Sequence, residues 1–130
     1  LAAKFGLSAE RRFDLEIKRY ADDLSLLYPE TRLTEDPAHA AVDLSGANVL
    51  IIDDVMYRGH SMLRAVQYLA QKNAAEIRTM VLVDRGAAKL PVRVDVSGVR
   101  LDVAATDIIE CHVPPYEPEF GIVLVQTVRR

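Results

Sequence analysis

Four unbroken aliphatic residues, Val49-Leu50-Ile51-Ile52, stand between Asn48 and an acidic pair, Asp53-Asp54. A continuous apolar run of this kind predicts a strand from Asn48 to Ile52, buried on both faces and central to a sheet. From Gly59 to Asn73 the apolar positions Met62, Val66 and Leu69 recur at helical spacing. Glu76 to Val83 is a second near-continuous apolar strand, carrying Ile77, Met80, Val81, Leu82 and Val83. Strand, helix and strand joined by a crossover of this length predict a right-handed parallel unit.

The flanking stretches are patterned differently. Arg11 to Tyr20 alternates, with Phe13, Leu15 and Ile17 on one side and Asp14, Glu16 and Lys18 on the other, which predicts a half-buried strand near a sheet edge. Leu1 to Leu7 has the pattern of a helix tail ending at Gly6. Ala21 to Asn48 has little periodicity and contains Pro29, Pro37 and Gly46. It is expected to be a long loop, with a short strand near Ala40 to Leu44. A loop of that length in a compact domain is either a lid or disordered, and its position directly before the acidic pair favours a lid. Val92 to Val103, Ile108 to Val113 and Gly121 to Val128 predict shorter strands, broken by Pro114, Pro115 and Pro118.

Composition narrows the class. The chain has 130 residues, half of them hydrophobic, which suits one domain spanning 1–130 with a substantial core. A net charge of −3 argues against coating nucleic acid by bulk charge. One cysteine, Cys111, excludes an intrachain disulfide and fits a reducing, cytoplasmic setting. No apolar run approaches the ~20 residues of a membrane span.

The chemistry concentrates after the first apolar strand. Ligands of open α/β sheets bind at the carboxyl ends of strands, where Asp53 and Asp54 stand. Two carboxylates there accept hydrogen bonds from vicinal hydroxyls, or hold a divalent cation through water. The turn from Tyr57 to Ser61 offers backbone N–H groups at a helix N-terminus, suited to a phosphate. Ser61 adds a hydroxyl, and Arg58 or His60 adds charge. Spacing alone leaves a second reading equally open: a solvated acidic turn in which Gly59 only supplies a positive φ. Cys111-His112 lacks the further spaced ligands of a zinc site, and a strand cysteine reads as a small buried hydrophobe. His39 is expected to be exposed in the long loop.

An apolar quartet, Asp-Asp, an apolar residue, two residues, Gly, one residue and Ser is similar to the phosphoribosyl-pyrophosphate (PRPP) motif of type I phosphoribosyltransferases. Ile17-Lys18-Arg19-Tyr20-Ala21-Asp22-Asp23-Leu24-Ser25 resembles the segment "LYRDDLS" of the pyrimidine-operon attenuator and uracil phosphoribosyltransferase family. Val81 to Gly86, followed by Leu90-Pro91-Val92-Arg93, resembles its segment "VLVDRG..ELPIR". The three blocks span residues 12–101 in the right order. The resemblance implies an α/β fold of the type I kind: a mostly parallel sheet flanked by helices, with a lid loop and C-terminal strands. It implies transfer of a phosphoribosyl group from PRPP to a nucleobase, uracil first among them, with Mg²⁺ as cofactor. By the same resemblance, Asp53 and Asp54 face the ribose hydroxyls as the catalytic pair. Val55, Met56, Tyr57, Arg58, Gly59, His60 and Ser61 complete the PRPP site. Tyr20, Asp22 and Asp23 begin the lid, and Asp84 and Arg85 lie beside the base pocket. No direct metal ligand is assigned. A homodimer or larger assembly is implied.

The departures from the family pattern bear on activity. Arg58 stands where the family has Thr or Ser, and Ala21 replaces the arginine of "YRDD". Ala87-Ala88 and Val99 replace basic residues that serve RNA binding in the family, which thins the footprint for RNA as a partner. The family has an earlier strand and a pyrophosphate-binding glycine loop; Leu1 to Leu7 matches only the end of the helix that follows them. The expectation is a domain lacking that N-terminal portion. The alternative function is a nucleotide-sensing regulator without turnover.

Overall fold

The computed structural model describes residues 4–8, 11–20, 30–34 and 36–126. Strand β1 (Glu16–Tyr20) pairs antiparallel with β2 (Glu30–Thr34). Helix α1 (Pro37–Ala40) follows, then β3 (Asn48–Met56), α2 (His60–Gln71), β4 (Glu76–Asp84) and β5 (Val96–Arg100). Strands β6 (Ile108–His112) and β7 (Gly121–Val125) form a second antiparallel pair.

The centre of the molecule is the parallel sheet β3-β4-β5. Parallel pairing of β3 with β4 across α2 is what the strand-helix-strand pattern predicts. The centre of that sheet lies one strand later than expected. Thr79, Val81 and Val83 of β4 are buried, while Leu50 and Ile52 of β3 remain 43% and 50% exposed. The reason is topological: among the described residues β3 is paired on one side only, so its apolar run is not enclosed. The core joins Met56, Met62 and Val81, with Ile51, Val92 and Val94 packed around them. On α2 the buried face is Met62, Ala65 and Leu69, and Val66 is only half-buried. That helix lies against β4 and against the β1–β2 hairpin.

Two expectations for the stretch before β3 are corrected. The chain over 30–34 is a strand rather than loop, because it completes a hairpin with β1. The strand expected near Ala40 to Leu44 is absent, and a helical turn precedes it. Asp36 caps that turn, its carboxylate accepting from the Ala38 N–H at 2.9 Å, and Pro37 opens it with a preset φ. The Lys72 ammonium at the end of α2 donates to the carbonyls of His39 (2.9 Å) and Ala40 (2.8 Å), closing the turn's C-terminal end. His39 is half-buried rather than exposed, with its ring 4.6 Å from that of Phe13.

Two residues before the row of β4 that pairs with Asp53, a side-chain clasp fixes the start of β5. The Thr79 N–H donates to the Asp95 carboxylate at 2.9 Å, and the Asp95 N–H donates back to the Thr79 hydroxyl at 3.0 Å. That hydroxyl also donates to the Arg93 carbonyl at 2.7 Å. These bonds hold the Asp95 carboxyl below the usual range, chiefly through the Thr79 N–H, with Arg93 and Arg78 assisting.

Candidate active site

Strand β3 runs through the acidic pair and ends at Met56, so Asp53 and Asp54 sit on regular backbone near its carboxyl end. Each carboxylate accepts from the next backbone N–H: Asp54 N–H to Asp53 at 2.9 Å, and Val55 N–H to Asp54 at 2.7 Å. Both side chains are thereby oriented before any ligand arrives. Burial among surrounding protein atoms pushes the Asp53 carboxyl up to about 6. The backbone N–H of Asp54 works against this shift, and the charge of Asp54 works with it.

The loop after β3 is shaped by glycine. Gly59 has φ +95°, and a Cβ there would lie 2.6 Å from Cγ2 of Val92. Only glycine meets both conditions, which gives Gly59 a structural reason beyond the turn itself. Gly59 is also the N-cap of α2, and having no side chain it leaves the N–H groups of the first turn uncapped. The Arg58 carbonyl accepts from the Lys89 N–H at 3.0 Å, tying the loop to the segment after β4. Nδ1 of His60 is buried and lacks a hydrogen-bond partner.

Asp53 through Ser61 line one trough of about 1390 Å³, together with Phe5, Leu7, Phe13 and Leu44. The acidic pair and the loop that the sequence joined by spacing therefore share a single concave surface. Arg58 is exposed, its guanidinium 5.2 Å from the centre of the Tyr57 ring. Asp84 and Arg85 stand at the end of β4, behind the loop rather than on the trough wall; Asp84 pairs with Met56 in the ladder. The Asp84 carboxylate accepts from the Gly86 N–H at 2.9 Å. Of the lid residues, Tyr20 ends β1, while Asp22 and Asp23 lie outside the described residues.

Two features were not legible from spacing. Strand β6 comes against β3, so the Cys111 thiol is pushed up by burial and then by the charges of Asp54 and Asp53. Arg85 is 7% exposed and bonded to carbonyls about twenty residues onward. In both cases the partner is brought in by tertiary structure, and no local motif announces it.

The class of protein follows from this arrangement together with the chain's relatives. Residues 1–119 match the phosphoribosyl transferase domain, and the chain belongs to that family. Within it, the chain is 32% identical over 117 residues to the bifunctional protein PyrR of Actinobacillus pleuropneumoniae, covering 86% of this chain and 62% of that protein. It is 34% identical over 101 residues to the bifunctional protein PyrR of Streptococcus pyogenes, covering 77% of this chain and 54% of that protein. The chain thus spans about three-fifths of the length of such relatives. The fold is of the type I phosphoribosyltransferase kind. A hypoxanthine phosphoribosyltransferase variant from Trypanosoma cruzi, in a ternary substrates complex, superposes with a TM-score of 0.59 at 17% identity, over 85% of this chain and 58% of that one. Among the described residues no helix is long and apolar enough to cross a membrane.

Proposed function

We propose that the protein transfers a phosphoribosyl group from PRPP to a nucleobase, with uracil as the base, giving UMP and pyrophosphate. The observation that carries the reading is the shared trough, in which an acidic pair at a strand end faces an uncapped helix start preceded by a glycine turn. Asp53 and Asp54 accept the ribose hydroxyls, and their charge stabilises the positive character that develops at the ribose as pyrophosphate departs. The backbone N–H groups at Gly59 to Ser61, with the Ser61 hydroxyl, hold the 5′-phosphate. Val55 and Met56 belong to the proposed PRPP site as the end of β3 that leads into the loop. Asp84 and Arg85 flank the side on which the base lies. Tyr20, Asp22 and Asp23 belong to the lid, which excludes the water that would hydrolyse PRPP.

Arg58 reads as a phosphate ligand in this site. Its guanidinium lies over Tyr57 and is exposed, so it leaves the loop open and has solvent-side freedom to swing. Mg²⁺ fits the donor set as a substrate-borne ion. Among the described residues no group of three or more His, Cys, Asp or Glu side chains is placed to hold a metal. Two carboxylates contacting a Mg²⁺ through water suit an ion that arrives with the phosphates of its substrate. When bound, it offsets negative charge on the departing pyrophosphate.

The test is formation of UMP and pyrophosphate from uracil, PRPP and Mg²⁺ by the protein at its natural length. No UMP above the uncatalysed rate would remove the reading. A second reading is a nucleotide sensor without turnover, favoured by Arg58 and Ala21, which stand where the resembled pattern has Thr or Ser and Arg. Saturable UMP binding with no product would select it. Replacing Arg58 by Thr is expected to weaken PRPP binding about threefold, by loss of one charged contact; tighter binding would show instead that Arg58 obstructs the loop.

A further inference from the structure

We propose that Arg85 is a positioning residue that locks the start of the phosphate loop to the turn at 104–107. This rests on the phosphoribosyl reading of the trough. Arg85 follows directly after β4, and its backbone N–H donates to the Met56 carbonyl at 3.0 Å. Its side chain runs inward. Nη2 donates to the Ala104 carbonyl at 2.7 Å and Nη1 to the Asp107 carbonyl at 3.1 Å. The guanidinium carbon lies 4.1 Å from the centre of the Tyr57 ring. The Tyr57 hydroxyl donates to the Ala105 carbonyl at 3.3 Å. Three carbonyls of one short turn are held by two side chains, and those two side chains stack on each other.

The geometry separates this role from two simpler ones. Arg85 is no direct ligand of the trough: Tyr57 lines the cavity and Arg85 does not, and both Nη groups are already committed to carbonyls. Nor is it mere filling. Among the described residues it has no carboxylate partner, and its buried Nε has no hydrogen-bond partner, so two carbonyl dipoles and the face of the ring are what offset its buried charge. An apolar side chain would fill the same space with less desolvation. What the guanidinium adds is a two-pronged planar grip that fixes a turn against a ring. The turn leads into β6, which lies against β3, so the grip sets the spacing between the phosphate loop and the strand approaching the acidic pair.

The test uses the protein at its natural length, with UMP and uridine as probes. Arg85→Lys keeps the charge and loses the grip. It should weaken UMP binding on the order of tenfold and uridine binding by less than about threefold, because the loss falls on the phosphate loop. Equal losses for both ligands, or none, would overturn the proposal. Amide exchange gives a second readout that needs no ligand. Protection at 104–107 and at Tyr57 to Ser61 should fall together in Arg85→Lys; a change confined to one segment, or no change, is contrary. If wild-type protein binds neither UMP nor PRPP, the phosphoribosyl reading fails, and amide exchange alone still decides the positioning role. If Arg85→Lys does not fold, Tyr57→Phe takes its place. It removes only the bond to Ala105, and should raise exchange at 104–107 while weakening UMP more than uridine.

Discussion

Two neighbouring stretches of the parallel sheet, two residues apart in register, treat an aspartate in opposite ways. At the start of β5, Asp95 is met by the N–H and hydroxyl of Thr79 and by two arginines, and its carboxyl is held below the usual range. Near the end of β3, Asp53 is crowded by protein atoms while its surface stays exposed, sits beside a second carboxylate, and is pushed up to about 6. The same side chain stabilises the fold in one place and opposes it in the other. A satisfied acid builds structure, and an acid under electrostatic stress marks where a ligand is to be met.

The comparison breaks most visibly at the β3 end. Changing Asp53 and Asp54 together to Asn should lower turnover by about 100-fold or more while the melting transition holds or rises slightly, because the proposed role of the pair is to place charge at the transition state. Unchanged kinetics would end the assignment of the pair. Next in size is Gly59→Ala, expected to destabilise by about 2 kcal/mol through its positive φ and the contact with Val92. Urea denaturation reads this directly, and a neutral result would show that the loop relaxes freely.

The Asp95 clasp gives the converse case. Asp95→Ala should lower stability measurably in urea denaturation, since the buried Thr79 N–H loses its acceptor. Turnover per folded molecule should be unaffected. The contribution of Asp95 is present above its unfolded pKa and disappears as pH falls through its lower folded value. Asp53 has the reverse sign. Its folded pKa is raised, so the unfavourable term is fully present above pH 6 and is relieved as pH falls from there towards 4. Asp53→Asn should therefore be slightly more stable than wild type at pH 7.5, by about 1 kcal/mol after allowing for solvent screening. The gain should vanish near pH 4. A gain that persists at pH 4 would point to packing rather than charge.

What could be read without coordinates follows from how local each signal is. Strand β3, helix α2 and strand β4 are written in apolar periodicity, and the loop after β3 in one glycine at one spacing. The enclosure of β3 is not local, because it depends on which strand lies alongside, and the apolar quartet by itself implied more burial than Leu50 and Ile52 have. Asp36-Pro37 has the residue types of a helix start, but the stretch after it is aperiodic and buries no residue of α1, so the helix is a single turn. The Arg85 grip had no sequence signal at all: its acceptors are main-chain carbonyls, which every residue carries.

The half-open flank of β3 has a practical consequence. Among the described residues no strand pairs with the edge of β3 away from β4, beside exposed Leu50 and Ile52. Such an edge is a template for whatever extended segment comes within reach. For the 130-residue chain in a test tube, clumping should then grow steeply with concentration. Short apolar peptides added in trans should slow it by lying along the same rail.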